Sequence, residues 1–581
     1  MNNDIKKNYI PVISLLVLFI CFLYAVYSVL YKGGTILYGD SLFHVQRIME
    51  IRYAFSQHEL PNWLNFQTFL GIGQAINGMY PDISLWPFVA LTMPLSITHQ
   101  VLAINLMILL LTFIVSSLSI KYQLKADPLT AIYMSIAYTF SGYSLYQFID
   151  EFQPGAGIIL IFSFPIAFMI RNIVFSNRID LSLIVRFALM ITLILYSHLL
   201  SIVVLAIIMA SIICYAIICH KFKYQSLINM IIGGIIAIIP ALPIIYRYLY
   251  ISRSGIIQPF GQGTIKAASV TQMFNSASSW DSRISLSALS ILCILIVLTF
   301  WNRKFSRDNI KLLIGEFWLL VLCTTIFPWV IFNKVPLVNN LQFTPWRFGI
   351  WTSIIPIILL LINFQDQKNS RRKIGFILAV VSLFMSCQVV NNISSSGYLR
   401  FNDYNAKILA SIKSNYDVSS NTILRYVAKI DYYPQAKRVM NKDEYLTSAR
   451  KNLLYNQRLQ AGGHFYPIKK EAINNGSLLK VKRSINIHGS NIQLPLLGYK
   501  SLDYDIEINN YPVNYGINEY GYIYLYNVSL HKGDIIKVTY NNPRMYYLSV
   551  FIAMVSLILL LMFLVVNHFK SMKASGLIKA S

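Results

Sequence analysis

Charge is what this chain has least of. Only 13% of its 581 residues are Asp, Glu, Lys or Arg, and acids are the scarcer half, 24 against 49 basic residues. A soluble average is about 25% charged, so a chain that faces water along its whole length is excluded. Cysteine is scarce too, and Cys21, Cys214, Cys219, Cys293, Cys323 and Cys387 all fall inside apolar runs. A thiol there acts as a small hydrophobe, and the spacing fits neither a disulfide framework nor a zinc site. Dense acidic clusters, internal repeats, low-complexity linkers and soluble nucleotide-sugar motifs are all missing. What remains is apolar: 56% of the residues are hydrophobic, largely in long runs. The class is an α-helical polytopic membrane protein.

A span needs about 20 apolar residues, and the runs predict about 12 spans. They cover 9–31, 97–119, 128–148, 155–172, 181–199, 200–219, 226–249, 284–301, 312–332, 347–363, 374–390 and 546–566. No small-residue cleavage site closely follows the first run, which reads as a retained helix. Ile83 to Ile97 is short and broken by Pro87 and Pro94, and it reads as a half-buried interfacial helix. Basic loops stay in the cytoplasm. Lys6 and Lys7, Lys121 and Lys125, Arg171 and Arg178, Lys221 and Lys223, Arg303 to Lys311, Lys368 to Lys373, and Lys570 to Lys579 all fall on one side. This places both termini inside and segments 32–82, 251–283, 333–346 and 391–545 outside, in a multi-pass cell-membrane protein.

Three parts are expected: a membrane domain over 1–390, an extracytoplasmic domain over 391–545, and a last span with a basic tail over 546–581. The outer domain has no run long enough to span. Its first half reads as mixed helix and loop. Strand-like alternation follows at Leu478 to Lys482, Asp503 to Ile508, Gly521 to Tyr526 and Asp534 to Tyr540, which predicts a small β-sandwich, hence an α+β domain before the last helix. It carries 20 basic residues against 11 acidic ones. That excess suits an anionic polymer or lipid headgroups, or is simply a solvated surface. Most of the remaining positive charge is the loop charge that orients the spans, so nucleic acid is not indicated as a partner.

The first outer loop holds Tyr38-Gly39-Asp40-Ser41-Leu42-Phe43-His44. Beyond it, apolar positions at Leu42, Phe43, Val45, Ile48, Met49 and Ile51 alternate with Gln46, Arg47 and Glu50, which predicts an amphipathic helix lying on the membrane. Asp40, His44 and Arg47 then share one face. Either these three converge as a site, or Asp40 merely caps the helix while the other two face headgroups.

Gly39-Asp40-Ser41-Leu42-Phe43-His44, Leu60-Pro61-Asn62-Trp63, Gly78-Met79-Tyr80-Pro81, Asp431-Tyr432-Tyr433-Pro434 and above all Leu341-Gln342-Phe343-Thr344-Pro345-Trp346-Arg347-Phe348 carry a resemblance. Together they resemble the bacterial membrane family labelled "6-pyruvoyl-tetrahydropterin synthase related", similar in layout to the GT-C glycosyltransferases. This chain has Tyr80-Pro81-Asp82 where relatives tend to have Tyr-Pro-Pro, which adds a second acid to the loop. The resemblance implies a GT-C-like enzyme that takes a sugar from a polyprenyl phosphate, with Asp40 as the catalytic base and an outward-facing active site.

Inverting transfer needs a carboxylate for the acceptor proton and donors for the leaving phosphate. Arg347 beside Trp346 is the first phosphate candidate, because guanidinium matches phosphate oxygens bidentately; the competing reading is a snorkelling arginine in an aromatic belt. Arg247, at the outer end of another span, is the second. Substrate-binding candidates further include His44, Arg47, Gln342, Trp346 and His198, the last also readable as a hydrogen-bonded histidine. Asp150 and Glu151 sit at a membrane mouth, where acids are costly to desolvate, as acceptor ligands, partners of a divalent metal, or water-exposed acids. Rival readings are a flippase for a lipid-linked glycan and a non-catalytic wall-binding scaffold. Transporters place ionisable groups near the midplane, whereas these lie at the ends of spans.

Overall fold

The computed structural model describes residues 40–150, 152–256, 307–334, 345–364, 367–395, 453–454, 456–473, 475–485 and 491–574, with parts of 13–27 and 265–271 and the short pieces 35–36, 400–401 and 432–434. The chain forms two units. One comprises Met1–Ser41, Thr98–Gly234 and Gly261–Phe401; the other comprises Leu42–Ile97, Ile235–Phe260 and Asn402–Ser581.

Among the described residues, six helices are long and apolar enough to cross a membrane: Ile97–Gln123, Pro154–Val174, Leu199–Ile218, Tyr224–Ser252, Pro345–Asn363 and Arg544–Met572. That is fewer than the twelve expected, for local reasons. The run at 128–148 starts as the helix Pro128–Thr139, breaks at Ser141, and ends in the short helix Gly142–Leu145 and the π turn Tyr146–Asp150. Leu181–Ser197 and Arg307–Cys323 are helices of 17 residues each. The run at 374–390 lies within Lys368–Ser395, residues 15–24 of the first run are helical, and 284–301 lies outside the described residues. Ile83–Thr92 is a short apolar helix.

One core of the first unit joins Phe19, Phe22, Tyr133, Phe140 and Ala379. Pro154 opens its helix in the first turn, where a missing N–H costs nothing. Asp180 caps the helix Leu181–Ser197 by accepting from Leu183 N at 3.1 Å.

The second unit holds an antiparallel sheet of nine strands: β1 (Arg458–Ala461), β2 (His464–Ile473), β3 (Gly476–Val481), β4 (Ile492–Leu497), β5 (Tyr504–Ile508), β6 (Tyr511–Pro512), β7 (Tyr515–Ile517), β8 (Tyr522–Leu525) and β9 (Ile535–Tyr540). The order is β6-β5-β9-β3-β2-β1-β4-β8-β7. Alternation buries Ile536, Val538 and Tyr540 on one face of β9. The sheet departs from the expected sandwich in being continuous. Strand β2 is long enough to pair with β1 through residues 464–467 and with β3 through 468–473, so it belongs to both halves. Pro512 sits on the edge strand β6, where a missing donor is harmless. The last apolar helix, Arg544–Ala574, follows the sheet.

The helix Ser41–Ser56 belongs mostly to this unit and is not the surface-lying amphipathic element expected. Gln46, Arg47 and Glu50 are buried along with Leu42, Val45, Ile48 and Ile51. The Glu50 carboxylate and the Gln46 amide oxygen are satisfied by the loop that follows. Glu50 Oε1 accepts from Phe66 N at 3.0 Å and Gln67 N at 3.3 Å, and Oε2 accepts from Thr68 N at 2.9 Å and Thr68 Oγ1 at 2.7 Å. Gln46 Oε1 accepts from Phe69 N at 2.9 Å. The loop then turns through left-handed backbone at Phe69, Leu70, Gly71 and Gly73 (φ 50°, 62°, 62° and 75°). A Cβ on Gly71 would stand 2.6 Å from Phe66 O, so glycine is required there. The sheet grips the same loop: Gln457 Nε2 donates to Leu70 O at 3.0 Å, Lys470 Nζ to Leu70 O at 3.4 Å, and Leu497 N to Ile72 O at 2.7 Å.

Burial pushes the Glu50 carboxyl up to about 6, and the donations from Thr68, Gln67 and Phe66 only partly oppose it. The folded protein therefore binds this proton more readily than the unfolded chain between about pH 4.5 and 6. Its contribution is complete below that window and is lost as pH rises through it. Relative to Glu50→Gln, wild type should lose roughly 2 kcal/mol across the window and no more above it, read as the pH dependence of the melting difference in detergent.

Candidate functional site

Each unit holds a cluster of charged and polar side chains. In the second unit, Tyr80-Pro81-Asp82 is held by two buried arginines. Arg47 Nη2 donates to Pro81 O, and its guanidinium lies 4.2 Å from the centre of the Tyr80 ring. Arg47 Nη1 stands 3.2 Å from His44 Nδ1, so two of the three residues predicted to share a helix face do meet. Burial pushes the Arg47 guanidinium down from its ordinary range, while Tyr80 and Asp82 oppose that. Arg247 Nη1 donates to Asp82 Oδ1 at 2.8 Å and its Nη2 to Tyr80 O at 3.4 Å. The pair is sealed, with Arg247 2% and Asp82 0% exposed. Trp86 Nε1 donates to the other carboxylate oxygen at 3.0 Å. Arg247, a phosphate candidate from the sequence, thus has its charge taken up inside the protein. Asp82 is visible in the sequence only as an extra acid, because its partner lies 165 positions away.

In the first unit, Arg347 lies in the tight turn Pro345–Phe348 that leads into the short helix Gly349–Thr352, and His198 sits in extended backbone (φ −160°, ψ 106°) between the helices Leu181–Ser197 and Leu199–Ile218. Arg347 Nη1 is 3.4 Å from His198 Nε2, and His198 Nδ1 is 2.9 Å from Ser201 Oγ. With Nε2 accepting from the arginine, Nδ1 carries the ring proton and donates to the serine. The guanidinium lies 4.9 Å from the Trp346 ring, whose own neighbours are Tyr146 at 5.1 Å and Tyr143 at 6.3 Å. Tyr143, His198, Ser201, Arg347 and Trp351 line a narrow crevice with apolar walls of Ile159 and Val204. Arg347 Nε is buried without a hydrogen-bond partner, and among the described residues no carboxylate pairs with this cation. A guanidinium beside an imidazole, with no carboxylate on it among the described residues, is chemically able to hold an anion.

Asp40 is a half-exposed turn residue immediately before the helix Ser41–Ser56. Asp150 ends the π turn; its side chain, Glu151 and Gln342 lie outside the described residues. Among the described residues no three His, Cys, Asp or Glu side chains converge to hold a metal ion.

No family model matches the chain, and no curated protein matches it. The resemblance carried by its motifs therefore has no family model behind it. Among solved structures, ArnT from Cupriavidus metallidurans, in a crystal structure bound to undecaprenyl phosphate, is similar over 71% of this chain and 74% of its own, at 13% identity and a TM-score of 0.40.

Removing one member of a buried ion pair leaves the other charge uncompensated, at a cost of about 3–5 kcal/mol, whereas replacing both by apolar groups costs far less. Asp82→Asn should lower the detergent melting temperature sharply, and adding Arg247→Met to Asp82→Leu should recover most of the loss.

Proposed function

We propose that this chain is a GT-C-like membrane glycosyltransferase that moves a sugar from a polyprenyl-phosphate carrier to a glycan or polymer on the outer face of the cell membrane. The observation that carries the proposal is Arg347. Charged groups are expensive at membrane depth and are retained where they are used. Among the described residues Arg347 has no carboxylate partner; it stands against His198 and opens onto a crevice with apolar walls. An anion attached to an apolar tail meets all three conditions, and a lipid phosphate is such a group.

In this reading Asp40 is the base. As the acceptor hydroxyl oxygen attacks the anomeric carbon, its proton passes to the Asp40 carboxylate. The bond from that carbon to the phosphate oxygen breaks, and the electron pair leaves with the phosphate. Configuration at the anomeric carbon inverts. Arg347 offsets the charge that grows on the leaving phosphate, and His198 holds the guanidinium in place. Both Asp40 and Arg347 belong to the first unit. The rows of basic loop residues orient this chemistry outward, with both termini in the cytoplasm.

Asp40→Asn should abolish sugar incorporation at normal protein levels, since loss of a general base costs about 10²–10⁴-fold; full activity in that variant would refute the assignment. Undecaprenyl phosphate should raise the melting temperature of wild type, and Arg347→Ala should remove that shift. An unchanged shift would place the anion elsewhere.

A further inference from the structure

Among the buried side chains of the first unit that packing leaves unexplained is Gln147. It is 1% exposed, and neither its amide oxygen nor its amide nitrogen has a hydrogen-bond partner. It lies in the π turn Tyr146–Asp150, and its carbonyl accepts from Gln153 N at 3.0 Å, closing a wide loop of chain. Phe152, inside that loop, has a left-handed backbone with φ 42°, a conformation bulky residues rarely adopt. Single π turns inside helices occur often at functional sites, and local strain of this kind persists where the surroundings impose it.

The place of this amide is specific. Tyr146, the residue before it, packs edge-on against Trp346 at 5.1 Å, and the Arg347 guanidinium sits 4.9 Å from that same indole. Arg347, Trp346 and Tyr146 are thus in contact one with the next, and Gln147 is the residue that follows Tyr146 in the chain. Resting on the reading above, in which Arg347 holds the carrier phosphate, we infer that Gln147 and the Trp346–Tyr146 aromatic pair form the subsite for the saccharide attached to that phosphate. A sugar is bonded directly to the phosphate oxygen, so it must lie next to whatever grips the phosphate. Its hydroxyl or acetamido groups donate and accept together, which a primary amide matches with one oxygen and two N–H bonds. Its C–H face suits an aromatic wall. A site that hydrogen-bonds a substrate hydroxyl discriminates strongly against a ligand lacking it, so Gln147 is a specificity-determining residue.

The inference separates cleanly from a structural role. An unpartnered buried amide destabilises the ligand-free protein, and Gln147→Leu removes that burden while keeping the volume. Full-length protein in detergent is titrated, by thermal shift, with undecaprenyl phosphate, undecaprenyl phosphoglucose and undecaprenyl phospho-N-acetylglucosamine. Wild type should bind at least one sugar-bearing lipid more tightly than the bare phosphate. Gln147→Leu should melt at or above the wild-type temperature without ligand, bind the bare phosphate equally well, and lose the sugar's increment, roughly ten- to a hundredfold in affinity. Retention of the increment in Gln147→Leu, or its absence from wild type for both sugars, overturns the inference while leaving the phosphate site standing. Failure of the bare phosphate to bind wild type overturns both.

Discussion

Taking charge out of water is the constraint around which the rest of this molecule is arranged. With so few charged residues and so much apolar helix, each ionised group inside must be paired, hydrogen-bonded or put to use. Asp82 and Arg247 show the paired solution, with a third contact from Trp86 completing the carboxylate. Glu50 shows the hydrogen-bonded one, in which backbone amides and a hydroxyl of one loop replace solvent. Arg347 has a histidine nitrogen but, among the described residues, no carboxylate, and the contrast with Arg247 gives it functional weight. Two arginines near span ends look alike in a sequence; what distinguishes them is whether the fold supplies an anion.

The same contrast shapes the aromatic residues. Trp63 packs against Tyr246, Tyr250, Tyr540 and Tyr546, an apolar seam within the second unit. Trp346 packs against Tyr143 and Tyr146 and also contacts a guanidinium. The first arrangement is a core. The second joins aromatic rings to a cation.

Local pattern was legible in the sequence and long-range pairing was not. The alternating segments at 503–508, 521–526 and 534–540 became Tyr504–Ile508, Tyr522–Leu525 and Ile535–Tyr540, because period-2 burial is a property of neighbouring residues. Whether such strands form two sheets or one depends on how far β2 extends beyond its first partner, which no local alternation encodes. Apolar runs marked membrane segments, but hydropathy does not register a break such as the one at Ser141, so the run at 128–148 is not one continuous helix. At the candidate site, His44 and Arg47 were visible as helix neighbours. The Arg347–His198 contact joins positions 149 apart, and the polar residues of the helix Ser41–Ser56 read as headgroup-facing because the loop that buries them comes later in the chain.

The loop held by Glu50 and Gln46 on one side and by Gln457, Lys470 and Leu497 on the other has a consequence for biogenesis. Lys470 lies 400 positions beyond the carbonyl it contacts. During synthesis, Leu70 and Ile72 emerge long before the strands that will receive them, and several hydrophobic segments must be inserted in between. The nascent chain must therefore keep this left-handed turn waiting, half-fastened by its upstream helix, until translation is nearly finished. Maturation of the second unit is consequently a late event, and truncation ahead of the strands leaves the early loop without its fastening.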